Sequence, residues 1–139
     1  MVDKKLEENI KKTKEFIEIW NKFHSIFKNV ITEDHITEGK EMEFLSIKEL
    51  VSSRYEDLMD SLEVKPLRRF ILSPFIYNVL SIDKLSTVSD EKLKVMDKDW
   101  VESDKFLSSL FGRLKRKKKR IEGFNKFLFV LKKNMSKFR

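Results

Sequence analysis

Seven of the eight residues from Arg113 to Arg120 are cationic, Leu114 being the exception. Lys and Arg at that density do one kind of chemistry well. They hold polyanions, because each neutralised phosphate releases condensed counterions. On a helix the seven would surround the circumference, whereas an ordinary solvated face interleaves Glu and pairs with it. Close like charges destabilise a helix, so a bound polyanion would relieve a local repulsion. Further cations follow at Lys126, Lys132, Lys133, Lys137 and Arg139. The expected contacts with nucleic acid are Arg113, Lys115, Arg116, Lys117, Lys118, Lys119, Arg120, Lys126, Lys132 and Lys133. Such contacts read the phosphate backbone, so DNA or RNA would be bound with low sequence specificity.

The charge is polarised along the chain. Positions 113–139 hold twelve Lys and Arg against the single acid Glu122, a net +11, while the other 112 residues carry −4. Positions 33–63 hold ten acids and three bases, a net −7. An acidic protein surface, including that stretch of a second copy, is therefore the rival partner for the basic segment. In a eukaryotic source Lys115–Arg120 would also serve as a nuclear-localisation patch. A cytoplasmic setting is otherwise expected.

Other chemistry finds little support. Cysteine is absent, which excludes disulfides, thiolate catalysis and cysteine-ligated metals. His24 falls in an apolar stripe, where a hydrogen-bonded core histidine is the expectation. His35 stands beside Glu33, Asp34 and Glu38, and Asp97, Asp99, Glu102 and Asp104 form a second acidic group. Acidic loops and solvated helix faces account for both without a metal. With glycine only at 39, 112 and 123, no phosphate-binding glycine loop or Gly-x-Ser-x-Gly turn exists. The expectation is a non-enzymatic accessory protein with no catalytic site, cofactor or metal.

The elements that position the basic segment are helical. Charged residues make up 38% of the chain and apolar ones 40%, with two prolines, which suits helices with charged outer faces. The expected fold is all-α, a helical bundle forming one domain over 1–139. Its N- and C-terminal helices are long and heptad-patterned, with shorter Pro-interrupted helices between. The first helix covers 1–31, with the stripe Leu6, Ile10, Thr13, Ile17, Trp20, His24, Phe27 and Ile31, widened by Phe16, Phe23 and Val30. Thr32–Glu41 reads as a loop. Ser46-Ile-Lys-Glu49 then reads as a capping box opening the second helix, with Leu45 and Leu50 as its staple. Pro66 and Ser73-Pro74 predict either one kinked helix or two short ones. Phe70–Ile82 is the most apolar stretch, too short to span a bilayer, and reads as a buried core segment.

Ser89 should cap the last segment, 89–139. Its stripe runs Leu93, Met96, Trp100, Ser103, Leu107, Leu110, Leu114, Lys117, Ile121, Phe124, Leu128, Leu131, Met135 and Phe138, alternating three and four. Continuous, it would be roughly 75 Å long. That exceeds a domain of this size, so a break or strong bend near Gly123, giving a hairpin, is the expectation. If the helix is unbroken, the stripe calls for a second copy. Leu93, Met96, Trp100, Leu107, Leu110 and Leu114 would line the interface of a homo-oligomer. Phe124–Phe138 also has the amphipathic, cationic look of a membrane-surface or groove-filling segment, although its stripe reads first as core.

Overall fold

The computed structural model describes residues 3–32 and 36–136, the last two of these by backbone alone. The described chain is all-helical: α1 (Lys4–Ile31), α2 (Glu38–Ser61), α3 (Pro66–Leu72), α4 (Pro74–Leu80) and α5 (Asp90–Ser136), with a 3-10 turn at Leu85–Thr87. α1 lies against both α2 and α5, α4 lies against α5, and α3 touches α4. Both long partners run antiparallel to α1. Glu7 meets Lys118 at one end of the α1–α5 pair and His24 meets Asp97 at the other. Lys5 meets Glu63 at the end of α2, while Phe23 stacks on Phe44 near its start.

Local chemistry sets the helix ends. Asp3 caps α1 by accepting from the Leu6 amide at 3.0 Å. α2 begins eight residues before the expected capping box, because Thr37 accepts from the Lys40 amide and Glu38 and Glu41 occupy the positive first turn. Ser46 and Glu49 are instead exposed mid-helix residues, and Leu50 faces solvent rather than forming a staple. Glu41 is buried and accepts from the Leu85 and Ser86 amides, which fastens the start of α2 to the 3-10 turn. Pro66 and Pro74 open separate helices, and Ser73 between them contributes no side-chain cap. Ser89 does cap α5, accepting from the Lys92 amide at 3.2 Å.

The core lies where α1 is sandwiched. Its buried positions are Leu6, Asn9, Thr13, Phe16, Trp20, Phe23, Phe27 and Val30. The face is turned slightly from the expected stripe, leaving Ile10, Ile17, His24 and Ile31 half-buried along its flank. Two neighbouring helices, not one, explain the rotation: the widening residues Phe16, Phe23 and Val30 become the centre. Trp100 of α5 is wholly buried against Trp20, Phe23, His24 and Phe27.

The expected break near Gly123 does not occur. α5 is one helix of 47 residues, ~70 Å long, passing through Gly112 and Gly123. A glycine in a helix interior costs about 1 kcal/mol, and Lys and Arg around it are good helix formers. No close neighbour requires the glycines either, since a Cβ on Gly123 would meet nothing within 4 Å. Beyond Lys126, which sits beside Asp3 and Glu7, the helix runs on past Asp3 for ~15 Å.

Candidate nucleic-acid interface

The basic run lies mid-way along α5, where the helix leaves the core. Leu107 is fully buried, Leu110, Leu114 and Ile121 are half-buried, and Arg113, Lys115, Arg116, Lys117, Lys119 and Arg120 are exposed. Among the described residues Lys118 is the one member of the run within 4 Å of a carboxylate. It lies 3.5 Å from Glu7 and 3.8 Å from Glu122. Lys115 stands over the Phe111 ring at 5.1 Å. The acids of the 33–63 stretch that are described do not reach the run. Glu56 and Asp60 pair with Arg69, Glu63 with Lys5, and Glu41 with backbone amides. Lys126 is exposed beside Asn125, and Lys132 and Lys133 are exposed farther out. Lys137 and Arg139 lie outside the described residues, as do Glu33, Asp34, His35 and Phe138.

Arg113, Arg116, Lys117 and Arg120 share one side of α5, because residues three and four apart stack along a helix face. They rim a groove of about 370 Å³ whose floor is apolar: Met59, Leu62, Val64, Leu72, Phe106, Leu110 and Leu114. Two local structures that left no sequence signal build its far wall. α2 ends in a left-handed residue, Glu63 at φ 59°, with the Val64 amide bonding Met59 O and the Glu63 amide bonding Asp60 O. That doubly bonded helix end normally uses glycine, so nothing in the sequence announced it, yet it places Val64 and Met59 on the groove floor. Arg69, buried, donates through Nε to Val64 O at 2.9 Å and forks onto Glu56 and Asp60, tying α3 to the end of α2. The hydrogen bonds it donates to Asp60 and Glu56 hold its guanidinium above the usual arginine range.

The expected oligomer residues are occupied within the chain. Met96, Trp100 and Leu107 are buried in its own core, and Leu93, Leu110 and Leu114 are half-buried. Besides Val95 and Val101, the exposed large apolar residues of α5 lie farther on: Phe124 and Phe127 are 60% and 61% exposed, with Phe129, Val130 and Leu131 also open. Expecting Phe124, Leu128 and Leu131 in a core is thus incorrect: Phe124 lies on a side of α5 that α1 leaves open, and the two leucines lie beyond Lys126. Met135 falls among side chains not described. A second exposed apolar group sits on α3, where Leu67, Phe70 and Ile71 face outward, so the apolar side chains of the stretch expected as buried core are buried only in its later part, at Ile76, Val79 and Ile82.

The remaining candidate chemistry is scattered. His24 donates from Nε2 to Asp97 at 2.7 Å and stacks on Trp100. Glu102 pairs with Lys105, and Asp99 turns inward, where burial raises its carboxyl above the usual range. Among the described residues no three His, Asp or Glu side chains converge as metal ligands. No described helix is long and apolar enough to cross a membrane. No family model, curated protein or solved structure matches the chain.

Proposed function

We propose that this chain is a non-enzymatic accessory protein that binds nucleic acid along the exposed side of α5, chiefly through phosphate contacts. One observation carries the reading. Six of the seven cations in 113–120 are exposed and, among the described residues, have no carboxylate within 4 Å. A run evolved to dock on the chain's own acids would sit against them, and a run for solubility needs no such concentration. Cations fanned along ~11 Å of a stiff helix suit a phosphate backbone, which is a line of charge rather than a point. Arg113, Arg116, Lys117 and Arg120 are the central contacts. Lys115 and Lys119 flank them, Lys126, Lys132 and Lys133 extend the field, and Lys118 steadies α5 on α1.

Titrating labelled DNA and RNA at two salt concentrations tests this. Binding should be seen at low salt and weaken steeply as salt rises. Binding that is undetectable at low salt, or indifferent to salt, contradicts the reading.

A second reading, an interaction or assembly module, is favoured by the apolar residues on α3, with Leu67 90% and Ile71 75% exposed. Such a group on a monomer marks a partner surface. Changing Leu67 and Ile71 to Glu would abolish partner capture or self-association under that reading and leave nucleic-acid binding in place under the first.

A further inference from the structure

The cations on the groove side of α5 continue into aromatic residues. Arg113, Arg116, Lys117 and Arg120 are followed on the same helical face by Phe124 and Phe127, at steps of three and four. Both residues are about three-fifths exposed, Phe124 where α5 still flanks the start of α1 and Phe127 just beyond it. The face is thus cationic for its first half and aromatic for its second, over ~21 Å from Arg113 to Phe127.

Phosphate binding explains the first half only. A duplex offers its outer surface to such a helix, with its bases stacked inside and their faces covered. A single strand presents both phosphates and free π-faces, and stacking on aromatic side chains tolerates any base. A second copy fits the face poorly. Pairing like faces in parallel would bring two sets of four cations together, a repulsion that a polyanionic strand instead relieves. We infer that the preferred ligand is single-stranded nucleic acid, its phosphates held by Arg113, Arg116, Lys117 and Arg120 and its bases stacked on Phe124 and Phe127. This rests on the nucleic-acid reading and narrows its substrate class.

The test compares a labelled mixed-sequence oligonucleotide of about 15 nucleotides, within known single-strand site sizes, with its own duplex, using full-length protein and a Phe124→Ala/Phe127→Ala variant. The wild type should bind the single strand more tightly than the duplex. The double variant should bind the single strand about ten- to a hundredfold more weakly, with little change toward the duplex, since stacking is lost and charge is kept. A Phe124→Trp/Phe127→Trp variant should retain single-strand binding. Circular dichroism checks that α5 stays helical. Equal or tighter duplex binding overturns the inference. So does a double variant with unchanged single-strand affinity, including one that instead dissociates a dimer in sedimentation or releases the protein from anionic phosphatidylglycerol vesicles. Salt-sensitive binding of both ligands with no effect of the variant defeats the stacking inference alone, whereas no binding of either ligand defeats the nucleic-acid reading itself.

Discussion

Tyr55 and Tyr77 touch edge to face, yet their hydroxyls differ in what they do. Tyr77 donates to Glu56 at 3.2 Å, while the Tyr55 hydroxyl is buried with no protein partner among the described residues. Burial pushes the Tyr55 phenol well above its ordinary range. Removing an unpaired buried hydroxyl forfeits no hydrogen bond. Tyr55→Phe should therefore leave the unfolding free energy measured in urea unchanged or raise it by up to about 1 kcal/mol. A clear loss would show that the hydroxyl has a partner. Asp99 poses the converse problem, a carboxyl turned inward on α5 whose range is raised by burial. A group raised in the folded state favours folding when protonated. That contribution is present below its unfolded pKa and is lost as pH rises through the folded one. Asp99→Asn should accordingly melt higher than wild type at pH 7, with the gap narrowing as pH falls into the carboxylate range. A gap that widens toward acid would contradict this. Neither environment could be read from the sequence, where Tyr55 is one more apolar position and Asp99 one more acid in a charged helix.

α5 decides how the basic run is displayed. A helix of this length tests its glycines, since a Cβ on Gly123 meets nothing and one on Gly112 meets only Arg116 at 3.5 Å. If α5 is continuous in solution, Gly123→Ala should raise helicity and stabilise the chain by up to about 1 kcal/mol. A hinge at that position would instead make the substitution neutral or harmful, as measured by circular dichroism and thermal melting. The helical pattern of α1 and the capping of α5 by Ser89 were legible in residue spacing, whereas Met96, Trp100 and Leu107, expected at an interface between copies, are buried in the chain's own core. The start of α2 was not, because Ser46 and Glu49 imitate a cap while Thr37 supplies the working one. Buried Glu41 draws its partners from the 3-10 turn at Leu85–Thr87, a contact that no local pattern encodes. The site divides the same way. Its cations are evident from composition, whereas the groove they rim depends on Glu63 in a left-handed turn and on Arg69 bridging α3 to α2.

At the scale of the whole molecule, the cations of 113–120 form a basic edge on α5 across a groove from the end of α2, and the helix carries on past them with Phe124 and Phe127 exposed. That edge would draw a polyanion from solution and orient it along α5 before short-range contacts form. The most direct test is the salt dependence of single-strand binding, measured for wild type and for a variant with Arg113, Arg116, Lys117 and Arg120 all changed to Gln. Each phosphate contact adds about 0.7 to the slope of log affinity against log salt for a single strand. The variant's slope should be shallower by about 3, with helicity retained. An unchanged slope, or wild-type binding that salt does not weaken, would contradict the assignment of this face to nucleic acid.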